Sequence, residues 1–248
     1  MVEYDGSAFS GSQYQAGVPT VQAALEEAIY RLTGEKVRIT AASRTDAGVH
    51  ALGQVVSFKT TSPRPLEAFV GGMNYWLPAA VAVREAHVVP LSFDVRRRAT
   101  SRHYRYSILL SRTRSPLRER YAYRLAGELD VAAMDRACRI LVGKHDFASF
   151  AAGIGGEAGN TVRRVYHAGV RQQADMVIFD MVANAFLRHQ VRVTAGCLVR
   201  VGQGKMTEEE LRAVLEARRP GLAGPTLPAH GLCLVKVEYA RPFEEAIT

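Results

Sequence analysis

The chain has 248 residues, 32 Lys and Arg against 24 Asp and Glu, and 48% apolar residue types. That composition suits an ordinary globular protein with a core and excludes disordered, collagen-like and mucin-like chains. The longest nearly uninterrupted apolar stretch, residues 77–83, is far too short for a bilayer span, and the opening residues lack the apolar core of a secretory signal. A cytoplasmic protein with no membrane partner is therefore expected. Cys138, Cys197 and Cys233 lie far apart with no C-x-x-C pair, which predicts buried free thiols rather than a zinc knuckle or a disulfide framework.

In chain order, the first strand, at residues 1–5, is so short that the sequence is expected to lack a few starting residues. Residues 21–32 carry Val21, Leu25, Ala28, Ile29 and Leu32 on one helical face, with Thr20 as N-cap and Gly34 as terminator. Alternation predicts strands at 36–40 and 54–59. Pro65 opens a second helical pattern that runs to Leu77, and residues 81–89 read as a strand. The order then repeats: a strand at 102–110, a helix at 131–142 capped by Asp130, strands at 162–170 and 176–183, and a helix at 186–200. A further helix at 208–218 follows the box Thr207-x-x-Glu210, and a strand at 232–239 ends the pattern. Both halves thus spell β-α-β-β-α-β, which predicts an α+β fold of two ferredoxin-like halves, residues 1–95 and 96–248, with helices on one face of each antiparallel sheet. Loops are expected at 151–159 and 220–228, the first long enough to suggest a substrate-side segment.

Charge is concentrated in one place. Residues 84–124 hold eleven Arg, no Lys and three acids, so the net excess of eight lies there and the rest of the chain is neutral. Interleaved Tyr104, Tyr106, Tyr121 and Tyr123 make this a setting for a phosphate backbone with bases to stack upon, although a solvated basic face has the same composition. Arg97, Arg98, Arg102, Arg105 and, beyond the cluster, Arg188 are the candidate phosphate contacts. On the strand at 102–110, Tyr104 and Tyr106 face one way, His103 and Arg105 the other. Arg188 and Arg192 fall one turn apart on the predicted helix at 186–200.

The segment Ser43-Arg44-Thr45-Asp46-Ala47-Gly48-Val49-His50 sits between two predicted strands and exceeds what a hairpin needs. If the backbone is extended at Thr45, Arg44 and Asp46 project to the same side, and the guanidinium keeps the carboxylate ionised for nucleophilic or general-base work. For an arbitrary R-x-D a structural turn pair is the commoner meaning. His50 reads as a loop histidine bonded to backbone. Two lookalikes fail: Gly202 to Thr207 lacks the first glycine and the hydroxyl of a phosphate loop, and the glycines at 153–159 miss the dinucleotide spacing. No metal-ligand or cofactor pattern is visible.

Several strings together are similar to a known family. Tyr4-Asp5-Gly6-Ser7-Ala8-Phe9, Thr20-Val21-Gln22, Arg44-Thr45-Asp46-Ala47-Gly48-Val49-His50-Ala51, Arg102-His103-Tyr104-Arg105-Tyr106, His145-Asp146-Phe147 and Asn184-Ala185-Phe186-Leu187-Arg188-His189-Gln190-Val191-Arg192 occur in the order and spacing of the TruA-type tRNA pseudouridine synthases. The resemblance covers nearly the whole chain. It implies isomerisation of uridine to pseudouridine at positions 38, 39 and 40 of the tRNA anticodon arm, without cofactor; the lack of a ligand cluster predicts no metal either. It also implies a homodimer that cradles tRNA, and two halves whose sheets join around a central basic cleft. By the same resemblance Asp46 is the catalytic aspartate, Arg44 flips the target base, Tyr104 stacks on it, and Arg192 pairs with the aspartate. Departures are Ser43 for the usual glycine, Ser12 where tryptophan is common, and Val193-Thr194 for an Asn-Ile pair. A catalytically silent RNA-binding protein and an acid-dependent hydrolase are the rival readings; the intact triplet Arg44, Asp46 and Tyr104 argues against the first, and the lack of a second placed carboxylate against the other.

Overall fold

The computed structural model describes residues 1–151 and 160–240. Chain contacts divide it into two compact units, Met1–Arg102 together with the chain from Cys233, and His103–Leu232. The mixed α+β character expected from the sequence is what is found.

In the first unit, β1 (Val2–Tyr4) lies between β5 (Val81–Val83) and β3 (His50–Gln54), antiparallel to both. The C-terminal strand β11 (Leu232–Tyr239) then pairs parallel to β3, Cys233 opposite His50. The strand expected to close the second half therefore completes the sheet of the first unit. A two-residue pair, β2 (Thr40–Ala41) with β4 (Val56–Ser57), stands apart. The strand predicted at 36–40 shrinks to its last residue because the Ile39 N–H donates to the Glu26 carboxylate at 3.0 Å, which removes it from any ladder. The pairing predicted at 54–59 begins earlier and breaks at Val55, whose carbonyl accepts from Ala42.

Helix α1 (Val21–Thr33) follows its sequence pattern. Thr20 Oγ1 accepts the Ala23 N–H, Gly34 ends the helix at φ 78°, and Val21, Leu25, Ala28 and Ile29 are buried. Helix α2 (Leu66–Trp76) buries Phe69 and Met73 and comes close to α1 at Gly72, where a Cβ would stand 2.6 Å from Leu32. Asn74 of α2 both donates to the Val83 carbonyl (2.9 Å) and accepts its N–H (2.7 Å), so its amide imitates one residue of a neighbouring strand on the free side of β5.

Strand β6 (Ala99–Leu110) begins in the first unit and continues into the second. From His103 on, the second unit has the order β6, β10 (Met176–Ala183), β9 (Val162–Gln173), β8 (Gly143–Asp146), with β7 (Tyr123–Leu125) parallel to β6. Helix α3 (Val131–Cys138) tightens into a 3-10 turn at Arg139–Leu141 instead of running to 142. It lies along β9, where the Asp135 carboxylate accepts the Val170 N–H at 2.9 Å. Helix α4 (Gln190–Gly202) is buried along almost its whole length, and Gly196 lets the Pro225 carbonyl approach to 2.6 Å of a would-be Cβ. Its start is four residues later than the pattern at 186–200 predicts. His189 is left-handed, and the Gln190 side chain accepts the Leu187 N–H. Arg188 is thus outside the helix, and its expected one-turn spacing from Arg192 does not exist. Helix α5 (Glu208–Ala217) has the predicted capping box, Thr207 and Glu210 bonding each other's backbone at 2.8 and 3.1 Å. The loop expected at 151–159 falls, except for Ala151, outside the described residues.

Candidate active site

The segment from Ala42 to His50 is held by side chains that reach it from three other places in the first unit. Gln54 treats Ser43 as a strand neighbour, accepting its N–H at 3.2 Å and donating to its carbonyl at 2.7 Å. Ser12 does the same for Thr45: its Oγ accepts the Thr45 N–H at 2.8 Å, and its own N–H donates to the Thr45 carbonyl at 3.0 Å. Tyr4 shares a 2.7 Å hydrogen bond with Thr45 Oγ1 and receives a longer one from Gln54. Burial pushes the Tyr4 phenol up to about 12, so it stays protonated and able to serve both neighbours.

Thr45 is accordingly buried, at 8% exposure, while Arg44 is exposed and Asp46 half-buried. This is the alternation that an extended backbone at Thr45 requires. The chain then reverses in a turn closed by the Val49 N–H on the Asp46 carbonyl (3.2 Å), with Gly48 at φ 78° in the position that needs a left-handed residue. Gly6 permits the return: a Cβ there would stand 2.0 Å from the Val49 carbonyl oxygen. His50 is buried, and its Nδ1 accepts the Gly6 N–H at 3.1 Å, in keeping with a backbone-bonded histidine.

Arg102 is a correction to the sequence reading. It is 6% exposed, and its guanidinium donates to the carbonyls of Arg96 (2.7 Å), Ala99 (3.1 Å) and Ala42 (3.2 Å). A buried guanidinium so placed braces the entry of the loop against the Arg96 turn and does not meet a phosphate. Arg97 and Arg98 are exposed on that turn, which Asp94 organises by accepting the N–H groups of Arg96 and Arg97 at 2.9 Å each.

In the second unit, Tyr104 is 5% exposed and meets Phe186 edge-on, with ring centroids 5.1 Å apart. Arg192 projects from the first turn of α4 and donates to the Leu227 carbonyl at 2.8 Å. Arg188 is exposed. Arg105 is bonded to Asp180 at 2.9 Å, and the same carboxylate receives His103 at 2.7 Å and Arg171. Burial opposes the charge on Asp180, but these three donors outweigh it and hold the carboxyl well below the usual carboxylate range.

Tyr4, Ser12, Gln54 and the bracing role of Arg102 were not legible as site features. Each acts through side-chain hydrogen bonds to residues distant in sequence, which leave no local pattern. No group of three or more His, Cys, Asp or Glu suited to a metal occurs among the described residues, and no helix of theirs is long and apolar enough to cross a membrane.

The chain is similar to known proteins along nearly its whole length. A family model described as tRNA pseudouridine synthase matches residues 1–96 and 137–240. The chain is 46% identical over 240 residues to tRNA pseudouridine synthase A of Geobacter sp. (strain M21), covering 96% of this chain and 97% of that protein. It is 46% identical over 239 residues to the protein of that name from Neisseria gonorrhoeae (strain ATCC 700825 / FA 1090), covering 96% and 90%. Identity to the one from Moorella thermoacetica is 44% over 238 residues, covering 95% and 96%. A match of this extent, spanning both units and including the braced Arg44-Thr45-Asp46 loop, places the chain in the tRNA pseudouridine synthase family, isomerases that act on tRNA.

Proposed function

We propose that the chain isomerises uridine at positions 38, 39 and 40 of the tRNA anticodon arm, with Asp46 as the essential carboxylate. The observation that carries this reading is the loop itself: Thr45 is fastened inward by Ser12 and Tyr4, and its two neighbours, a guanidinium and a carboxylate, are turned away from the core. Pseudouridine formation breaks the bond from C1′ to uracil N1, turns the base and joins C1′ to C5. The C5 hydrogen leaves as a proton and N1 gains one, so product and substrate are isomers. A target inside a paired stem must first leave the stack. Asp46 serves this chemistry by attacking C1′, by attacking C6, or by removing the 2′ proton. Arg44 displaces the base from the helix. Tyr104 has the stacking part and Arg192 supplies a second guanidinium. The exposed Arg97, Arg98 and Arg188 take phosphates. The protein works as a cytoplasmic homodimer, with no metal or cofactor.

The test is tritium release from C5-labelled uridine in tRNA, measured in a single turnover with enzyme in excess. Asp46→Asn keeps size and polarity, so turnover should fall by at least about three orders of magnitude, ~4 kcal/mol at 1.36 kcal/mol per decade. Affinity for tRNA should stay within about tenfold, because the phosphate-binding surface is untouched. Product formed at a substantial rate by this variant defeats the assignment. A wild-type protein that binds tRNA and releases no tritium is instead an RNA-binding protein on this scaffold.

A further inference from the structure

Beside the loop, within the first unit, is a recess of about 540 Å3, inside the size range of small-ligand sites. Its floor is apolar, formed by Val21, Leu25, Ile39 and Val56, and its rim carries the guanidiniums of Arg38, Arg44, Arg96 and Arg97. The one carboxylate on the rim, Asp94, is already occupied by the N–H groups of Arg96 and Arg97. Arg38 pairs with Glu26 at 3.0 Å and lies over the Tyr14 ring at 4.9 Å, and Arg97 faces Asp94 at 3.6 Å. The guanidiniums of Arg44 and Arg96 make no hydrogen bond or ion pair with any described residue.

Two walls of the recess are fixed before anything binds. Arg102 ties the Ala42 carbonyl, at the entry of the catalytic loop, to the Arg96 carbonyl on the opposite turn. A preformed cleft with an apolar floor and two unpartnered guanidiniums on its rim suits a ligand that is flat and apolar at one end and anionic at the other. Arg44 also precedes Asp46 by two residues, about 7 Å of extended chain, a separation that one nucleotide bridges. We infer that the recess is a second RNA subsite, taking a nucleotide adjacent to the isomerised uridine, with its phosphate on Arg44 and Arg96 and its base over the apolar floor. The inference rests on Asp46 marking the position of the target uridine, as proposed above.

The experiment is a double-mutant cycle on binding, which needs no turnover. Wild type and Arg96→Ala are titrated with anticodon-arm RNAs that carry one neutral methylphosphonate linkage, moved stepwise along the strand on both sides of the target. Arg96 is exposed, so the variant should melt with the wild type, and Arg96→Lys should recover part of the affinity. Arg96→Ala is expected to weaken binding about tenfold, as for one charge-assisted hydrogen bond, and to lower the slope of log K against log salt by about one. One linkage next to the target should weaken the wild type clearly more than the variant, which keeps Arg44 on the same phosphate. An abasic residue at that nucleotide should weaken both proteins. The subsite is overturned if every linkage costs the variant what it costs the wild type, if the coupled linkage lies several nucleotides from the target, or if the abasic RNA binds normally. Failure of Asp46 as the catalytic group would appear in tritium release and not in this cycle.

Discussion

Ser12→Ala separates holding the Arg44–Asp46 loop from merely building it. The substitution removes one oxygen, so packing is nearly unchanged, and Ser12's own N–H still reaches the Thr45 carbonyl at 3.0 Å. What is lost is the acceptor 2.8 Å from the Thr45 N–H, together with a longer donation to the Thr45 carbonyl at 3.3 Å, at a site where Thr45 and Ser12 are 8% and 7% exposed. An orphaned buried amide costs about 1–3 kcal/mol. The chain recovers part of that by rotating the Thr45 peptide toward solvent, which displaces the next residue, Asp46. Misplacement of a reacting group by about 1 Å costs on the order of 100-fold in rate. Single-turnover tritium release at saturating RNA should therefore fall about 10- to 100-fold. The dissociation constant for tRNA should move less than about threefold, since no phosphate-binding group is touched, and Ser12→Thr should restore most of the rate. Unfolding in urea, followed alongside, reports the direct stability loss. A variant that loses stability and keeps its full rate would show that the hydroxyl only builds the fold; one that loses affinity and rate together would refute the positioning role.

Replacing Asp180 by Asn leaves Arg105, Arg171 and His103 around a neutral group, and should cost about 1–3 kcal/mol at pH 7, read from the urea midpoint. Because the folded carboxyl is depressed, its stabilisation is complete above the ordinary aspartate value near ~3.9 and is lost as pH falls toward the folded value; the gap between wild type and variant should narrow below about pH 4. A gap unchanged at pH 3 contradicts this. Burial pushes the thiols of Cys138 and Cys197 each up to about 12, and Cys197 also donates to the Ala223 carbonyl. A disulfide reagent at pH 8 should therefore titrate Cys233 alone in the native protein and all three thiols after unfolding. Arg97→Ala with Arg98→Ala should weaken binding to every tRNA alike and flatten the salt dependence by about one unit for each phosphate that is no longer neutralised; an unaltered slope makes these residues a solvated face.

The sequence was most legible where structure is periodic and local. Helix α1 has the cap, the buried face and the terminating glycine that its pattern predicts, and the alternation of Arg44 and Asp46 about Thr45 follows from extended geometry. It was least legible where one side chain intercepts distant backbone. Glu26 removes the Ile39 N–H from a strand that alternation predicts, and Gln190 with a left-handed His189 delays α4. The parallel pairing of β11 with β3 joins residues more than 180 positions apart, and nothing in 232–239 announces it. Counting arginines located the basic region but could not tell Arg102, consumed by three carbonyls, from Arg97, which is open to solvent. Of the departures from the usual family pattern, Ser12 bonds the Arg44–Asp46 loop through its hydroxyl, whereas Ser43 is held there through its backbone groups.

The amide of Asn74 bears on how copies of this chain can assemble. Along the outer side of β5, the Val81 N–H is satisfied by Pro78, and both backbone groups of Val83 are taken by Asn74. An uncovered strand edge is a template for another chain's strand, and here the helix that follows β4 has supplied the counterfeit partner in advance. A second protomer therefore finds no ladder to extend at this border. Any association across this border has to run between side chains instead, and would be open to adjustment by single substitutions without disturbing β5. Asn74→Ala would reopen the edge, and the consequence to look for is aggregation of otherwise folded protein.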